Sequence, residues 1–268
     1  MAERLLMIDT HIHLDIYDPH QREELLQECF EHKEVTNVIA VSMHMASCLV
    51  NKRLAASNPQ FIRPAYGYHP EQTPLQEKEL QELLVWIRRH ADEAVAIGEV
   101  GLPYYSRQEA ADRGEPFDQE PYIAMLQRFV ALADELDKPI VLHAVYEDAD
   151  IACRLLANYP RVRAHFHWFK GSMETVRLMA QRGYMISVTP DVLYEEEIRE
   201  LVRLYPLELI MTETDGPWPF EGPFQGKPTR PHMMRESIAV IAGLKGLSVE
   251  ETAQRLYDNA SRFYRLNS

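Results

Sequence analysis

Two histidines alternate near the start of the chain, in Ile8-Asp9-Thr10-His11-Ile12-His13, directly after the apolar residues 5–7. Residues i and i+2 of a β-strand point to the same side, so His11 and His13 can bind one metal ion together. Without such a partner, two imidazoles at the end of a buried strand would be costly to desolvate. The spacing predicts one corner of a metal site, although a histidine with an ordinary structural role is the common alternative for either position alone.

Four further candidate ligands stand at the ends of other apolar runs: Glu99, His143, His167 and Asp215. Nitrogen and carboxylate ligands without thiolate suit Mg, Mn, Zn, Ni or Fe, and the sequence does not distinguish these ions. Six ligands suffice for two ions if Glu99 bridges them, and two ions ~3.5 to 4 Å apart would activate a shared water. Asp215 is the best placed general base for that water.

Each of these residues also has a structural interpretation. Glu99 could pair with an arginine, and Asp215 before Gly216-Pro217 could start a turn. His165 lies two residues from His167 and competes with it for the ligand role. Six such residues at the ends of five predicted strands nevertheless favour a metal site, with Asp215 and Glu99 as its catalytic members.

The elements that must position these residues are eight β-rich apolar runs. Segments with helical spacing separate them, an alternation that predicts a closed (β/α)8 TIM barrel, possibly distorted, in a single domain over residues 1–268. A capping box at Ser248 and Glu251 predicts a last helix over 252–264. The predicted strands are 5–10, 36–42, 62–67, 94–98, 139–144, 162–166, 184–189 and 209–214.

Two connections are unusually long, residues 102–121 after the fourth strand and 216–233 after the eighth. Loops that follow barrel strands lie on the catalytic face, so each is a candidate lid or substrate wall. The first has mixed charge and is expected to be a solvated loop. The second combines aromatic side chains with Lys227 and Arg230, which suits either base stacking or simple packing over the barrel mouth.

Composition limits the possible partners. The chain is 46% hydrophobic and 26% charged, with a net charge of −13 that opposes non-specific binding to nucleic acid or acidic membranes. Cys29, Cys48 and Cys153 form no CxxC pair, so neither a disulfide framework nor a thiolate zinc site is indicated. With no leader or membrane span in the sequence, we expect a cytoplasmic monomer or weak oligomer without an obligate protein partner.

Seven motifs together resemble the TatD family of metal-dependent hydrolases across nearly the whole chain. The resemblance implies an amidohydrolase-like barrel with divalent-metal-dependent DNase activity, and it implies metal ligands at the same six positions. It also favours His167 over His165. The motifs are HIHLD (11–15), GYHPE (67–71), AIGEVGLPYY (96–105), IVLH (140–143), HWFKGS (167–172), TETDGPW (212–218) and NASRFY (259–264).

Three departures from the family pattern weaken the expectation of nuclease specificity. Pro103 stands where most members have aspartate. After the strand-five histidine, His143-Ala144-Val145-Tyr146 replaces an arginine-bearing segment, and Thr229-Arg230-Pro231 stands in place of Asn-Glu-Pro. Lys170 and Arg230 could supply compensating cations.

The predicted substrate contacts are therefore His69, Lys170, Arg230 and Trp218. The resemblance places His69 at the substrate, while a simple turn between Gly67 and Pro70 is its structural alternative.

The leading hypothesis is a deoxyribonuclease that cleaves phosphodiester bonds with a metal-activated water. Two alternatives stay open at this point. One is a hydrolase of the same metal type acting on a small phosphoester, amide or lactone, and the other is a metal-binding scaffold without turnover.

Overall fold

The computed structural model describes residues 5–266 and contains a ring of eight parallel strands in the order β1 to β8. Each strand overlaps one of the eight predicted runs, so the predicted (β/α)8 barrel is confirmed. The main difference lies in the fourth strand, which continues past its predicted end and includes Glu99. The strands are β1 Met7–Ile12, β2 Val35–Ala40, β3 Ile62–Tyr66, β4 Ala96–Gly101, β5 Ile140–His143, β6 Ala164–Phe166, β7 Met185–Val188 and β8 Ile210–Thr212.

Helices follow the strands on the outside of the ring. The long connection over 102–121 is solvated in part, as predicted, since residues 111–116 are exposed. The sequence did not indicate that residues 104–112 form a helix, although Gln, Glu and Ala, which favour helices, occupy most of its second half. The helices are α1 Pro19–His32, α2 Met45–Ser57, α3 Glu77–Arg89, α4 Tyr104–Asp112, α5 Glu120–Leu136, α6 Glu147–Leu156, α7 Met173–Arg182, α8 Glu196–Leu204, α9 Met234–Lys245 and α10 Val249–Tyr264.

The last helix begins at Val249, directly after the predicted cap residue and three residues before the predicted start at 252. Ser248 is the N-cap, and its side chain accepts a hydrogen bond from the backbone N–H of Glu251 at 3.1 Å. The Glu251 carboxylate pairs with Arg255, one turn further along the helix. The serine half of the predicted capping box is therefore formed, while the glutamate stabilises the exposed face of α10.

Alternate residues of the strands belong to two different apolar clusters. Val38 and Ile140, for example, pack in the large cluster that also contains the helices, whereas their neighbours Ile39 and Val141 belong to a smaller cluster. The smaller cluster includes residues from the end of α10, among them Phe263. Alternation of this kind is expected of strands that are covered on both faces.

Backbone hydrogen bonds join the end of β1 to the segment after β8. The N–H of Asp215 donates to the carbonyl of His11 at 2.9 Å, and the N–H of His13 donates to the carbonyl of Gly216 at 2.8 Å. The same bonds bring the histidine pair beside the predicted catalytic aspartate.

The segment after β8 is compact rather than extended. It contains two short 3₁₀ turns, Gly222–Phe224 and Pro231–Met233. Phe220 and Phe224 are buried together, while Trp218 is 50% exposed. Most of the aromatic surface of this loop is thus used for packing, and Trp218 is the aromatic residue that it leaves open to solvent.

None of the helices within residues 5–266 is both long and apolar enough to cross a membrane.

Candidate metal centre

The six predicted ligands lie together, buried at the end of the barrel where the strands finish. His11 and Glu99 are in strands, and His143 is the last residue of β5. His13, His167 and Asp215 follow β1, β6 and β8 within three residues. None of the six is more than 9% exposed.

One group of donor atoms surrounds Oε2 of the Glu99 carboxylate. Oε2 of Glu99 lies 3.2 Å from Nε2 of His11 and 3.2 Å from Nε2 of His13. Oδ1 of Asp215 lies 3.4 Å from both of these nitrogens, which are themselves 3.4 Å apart. Donor atoms around an ion with bonds of about 2.0–2.2 Å are separated by about these distances, so the four residues fit a divalent ion.

A second group surrounds the other oxygen of Glu99. Oε1 lies 2.8 Å from Nε2 of His167 and 3.1 Å from Nδ1 of His143, and these two nitrogens are 3.2 Å apart. Nε2 of His69 approaches the same oxygen at 3.3 Å. The two oxygens of one carboxylate therefore face two different sets of imidazoles, which is the arrangement that a bridging ligand requires.

The electrostatics of this cluster keep its carboxylates negative. Burial raises the pKa of Glu99, but the nearby His69, His167 and His11 outweigh burial and lower it well below its usual range. Burial likewise raises the pKa of Asp215, but the close approach of His13, at 3.4 Å, and the charges of the other imidazoles outweigh burial and lower it. Within residues 5–266, both oxygens of Glu99 and Oδ1 of Asp215 are buried without a hydrogen bond that satisfies normal geometry. Buried anionic oxygens of this kind fit a divalent cation.

His165, the competitor for the ligand role, has other partners. Its Nδ1 lies 2.6 Å from the Tyr264 hydroxyl, and its Nε2 lies 2.6 Å from the hydroxyl of Ser187. Both ring nitrogens are thereby occupied at the interior of the barrel. Asp9 is also occupied, because it accepts hydrogen bonds from the backbone N–H of His11 and from the hydroxyl and N–H of Thr214.

Two glutamates of the centre were not selected from the sequence. Glu213 lies 3.8 Å from Nδ1 of His167 and accepts hydrogen bonds from Ser187 and from the backbone of Trp168. Glu71 contacts Nε2 of His143 at 3.3 Å. Both belong to motifs already noted, GYHPE and TETDGPW, and that membership was the only sign of their role in the sequence.

A pocket of about 490 Å³ opens onto these residues. Part of its wall is polar and belongs to the centre, and the rest is aromatic or aliphatic. The polar residues are His69, Glu71, His143, His167 and Asp215. The remaining lining residues are Met43, Tyr105, Val145, Trp168, Trp218 and Pro219.

The predicted substrate contacts divide into two pairs. His69 and Trp218 line the pocket, whereas Lys170 and Arg230 do not. Arg230 is 6% exposed, and its guanidinium lies 3.3 Å from Glu28 and 3.6 Å from Glu24 on α1. Arg230 therefore links the loop after β8 to α1, where two carboxylates compensate its charge.

Comparison with known proteins agrees with this geometry. The family model described as TatD related DNase matches residues 8–265. An uncharacterized metal-dependent hydrolase of Haemophilus influenzae is 34% identical over 264 residues, which are 97% of this chain and 100% of that protein. Human deoxyribonuclease TATDN3 is 27% identical and covers 96% of this chain and 94% of its own length.

A solved structure agrees as well. The crystal structure of YJJV, a TatD homologue from Escherichia coli K12, superposes with a TM-score of 0.81 and 26% identity over 98% of this chain and 99% of that chain. The chain therefore belongs to the family of TatD-related DNases, and with it to the metal-dependent hydrolases.

Proposed function

We propose that the chain hydrolyses phosphodiester bonds in DNA, with divalent ions held by the six predicted ligands. The observation that carries the proposal is the position of the Glu99 carboxylate. Its two oxygens face separate groups of imidazoles at 2.8–3.3 Å. His11, His13 and Asp215 would hold one ion, His143 and His167 the other, and Glu99 both. Bound there, two ions would activate water for attack and neutralise the charge that develops on the scissile phosphate.

The protein's own groups have distinct parts in this reaction. Asp215 lines the pocket and is held as a carboxylate by His13, so it can accept the proton that the attacking water loses. His69 accepts a hydrogen bond at Nδ1 from the backbone N–H of Glu71, so its Nε2 carries the proton of the neutral ring and donates toward Glu99. In the proposed reaction, His69 would act as a hydrogen-bond donor at the pocket.

The test is a cleavage assay on purified protein stripped of metal and reloaded with Mg or Mn. Single-stranded and nicked DNA should be cut by the reloaded protein. Asp215→Asn should lower the rate at least 100-fold, because it removes the base while it preserves shape. Intact DNA after incubation with folded, metal-loaded protein would contradict the nuclease proposal.

One observation favours a second candidate, a small substrate hydrolysed at the same centre. Among residues 5–266, no lysine or arginine lines the pocket, whereas three aromatic rings do. A polynucleotide held by several phosphate contacts needs cations and binds with a steep salt dependence. A small aryl phosphodiester, ester or lactone would instead pack its apolar group against Tyr105 and Trp218.

Salt dependence separates the two candidates. If DNA is the substrate, KM should rise steeply between 50 and 200 mM salt, by at least tenfold for a strand held at several phosphates. If the substrate is small and apolar, a chromogenic aryl ester or phosphodiester should be hydrolysed with a KM that changes less than twofold over the same range. Trp218→Ala should then raise KM for the aryl compound, with Phe30→Ala, an exposed aromatic on α1, as the matched control.

A further inference from the structure

Glu71 lies between the candidate centre and the wall of the pocket. It follows His69 and Pro70 in the loop after β3, and it is partly buried. Both oxygens of its carboxylate are engaged. Oε1 faces an imidazole of the centre and also accepts from the first turn of α4, and Oε2 accepts from that turn alone.

The first contact determines which nitrogen of His143 is available. Nε2 of His143 lies 3.3 Å from Oε1 of Glu71, and an ionised carboxylate can only accept, so this nitrogen carries the proton. Nδ1 lies 3.1 Å from Oε1 of Glu99, which is also a carboxylate oxygen, so its lone pair would be offered to an ion held between these two atoms. The single N–H of the neutral ring would then be the one on Nε2, which Glu71 accepts. His143 thus presents Nδ1 to the centre, whereas His11, His13 and His167 present Nε2.

The second contact holds α4. The backbone N–H groups of Tyr105 and Ser106 donate to Glu71 at 2.9 and 2.7 Å, and the Ser106 hydroxyl donates at 2.5 Å. The first N–H groups of a helix have no partner inside it, and Pro103, the residue before α4, supplies no side-chain cap. Glu71 therefore caps α4 from a different loop, at a distance of 34 positions along the chain.

The capped turn carries part of the pocket wall. Tyr105 is 49% exposed and lines the pocket, with its ring centroid 6.0 Å from that of His143. Because one carboxylate binds both His143 and the turn that holds Tyr105, a displacement of α4 would withdraw an acceptor from His143.

We propose that Glu71 is a positioning residue that fixes the proton of His143 on Nε2 and ties the α4 wall to the metal centre. The proposal rests on the assignment of His143 as a metal ligand under the proposed function. Carboxylates that accept a hydrogen bond from a metal-binding histidine fix its tautomer and orientation, and their loss typically weakens metal binding 10- to 100-fold. In this chain the Glu71 carboxylate also accepts hydrogen bonds from the first turn of α4. The position of Tyr105 in the pocket wall and the orientation of His143 therefore depend on each other.

The decisive variant is Glu71→Gln, compared with Ser106→Ala. Glutamine has nearly the same shape but one accepting oxygen, and its NH2 group cannot accept from His143, Tyr105 or Ser106. Ser106→Ala removes a single hydroxyl from the α4 side and leaves the contact with His143 in place. The two measurements are Mn²⁺ affinity by calorimetry, without any substrate, and amide hydrogen exchange in the peptide that contains residues 104–107.

We expect Glu71→Gln to weaken binding of at least one Mn²⁺ by 10- to 100-fold and to accelerate exchange of the Tyr105 and Ser106 amides at least tenfold. Ser106→Ala should keep Mn²⁺ affinity within twofold while it accelerates exchange of the same peptide. Unchanged Mn²⁺ affinity and unchanged exchange in Glu71→Gln would overturn the proposal. A change in Mn²⁺ affinity alone, or in amide exchange alone, would also overturn it, because the proposal requires that Glu71 act on both His143 and α4.

Two controls keep the result interpretable. Glu71→Asp retains the charge but is one methylene shorter, so it should lose part of both effects; if Glu71→Gln fails to fold, this variant gives the answer by the same two criteria. His143→Ala tests the underlying assignment. If it leaves Mn²⁺ stoichiometry and affinity unchanged, the proposed ligand set fails, whereas a result confined to the Glu71 variants concerns the positioning role alone.

Discussion

Asp191 shows how a single buried carboxylate can make the stability of this barrel depend on pH. It is 2% exposed, and it accepts hydrogen bonds from the Thr189 hydroxyl and from the indole N–H of Trp168. Burial outweighs these bonds and raises its pKa from 3.8 to about 6. Between these two values the folded chain binds a proton that the unfolded chain does not.

Stability linked to Asp191 should therefore be greatest below pH 4 and should be lost as the pH rises to about 6, by up to about 3 kcal/mol. Asp191→Asn cannot titrate, so the difference in unfolding free energy between variant and wild type should change over this range and become constant above it. Urea unfolding in EDTA from pH 4 to 7 measures that difference. A difference that is independent of pH would show that Asp191 titrates normally.

The three cysteines should be unreactive while the protein is folded. Cys29, Cys48 and Cys153 are each less than 8% exposed, and burial raises the pKa of each thiol to about 12. Thiolate is the nucleophile in alkylation, so both access and ionisation oppose the reaction. Mass spectrometry after iodoacetamide at pH 8 should find no adduct on native protein and three after denaturation; rapid native labelling would contradict the burial.

Residue type and strand position were sufficient to select the six residues that the structure brings together, because parallel strands of a barrel end at a common rim. They were not sufficient for Glu71 and Glu213. A carboxylate gains its role here from which imidazole nitrogen it faces, and that depends on side-chain direction and on loops from distant parts of the chain. For the same reason the cations chosen for the substrate, Lys170 and Arg230, could not be placed from their loops alone.

At the scale of elements, the contact between β4 and β5 sets the position of His143. Gly101 is the last residue of β4, and a Cβ added there would lie 1.9 Å from the backbone oxygen of His143. The strands can approach this closely only because no side chain intervenes. Glycine at this position is thus a requirement of the site as well as of the sheet.

Gly101→Ala should consequently displace the end of β5 and both destabilise the protein and weaken metal binding. We expect a loss of about 1–3 kcal/mol in unfolding free energy, typical of forced overpacking and backbone shifts, with a lower Mn²⁺ affinity measured by calorimetry. Gly243→Ala on the exposed face of α9 is the matched control, since nothing lies within 4 Å of its added Cβ. That variant should be more stable by up to about 1 kcal/mol. Equal behaviour of the two variants would refute the argument.

The elements themselves were largely predictable, because covered parallel strands give continuous apolar runs that alternate with helical spacing. The exception, α4, has little apolar periodicity, and its first turn depends on an acceptor from the loop after β3 rather than on a local cap. A helix completed by a distant residue leaves no start signal in its own sequence. The serine cap of α10, by contrast, is local and was found at its predicted position.

At the scale of the whole molecule, the candidate metal centre joins the ends of five strands from across the barrel. Its buried carboxylates and imidazoles come from β1, β4 and β5 and from the residues after β6 and β8. An ion that binds only the folded chain stabilises it by RT ln(1 + [L]/Kd), about 2.7 kcal/mol at one hundred times Kd. Removing the metal should therefore lower the stability of the entire barrel rather than loosen one loop.

We expect EDTA-treated protein to gain several degrees in Tm when Mn²⁺ or Zn²⁺ is added, in proportion to the logarithm of ion concentration. Glu99→Gln should remove most of that gain, because both groups of imidazoles share this one carboxylate. Glu135→Gln, which breaks an exposed pair with Arg88, is the control and should keep the full gain. An undiminished metal-dependent rise in Glu99→Gln would mean that ions bind elsewhere in the chain, and the bridging role of Glu99 would have to be abandoned.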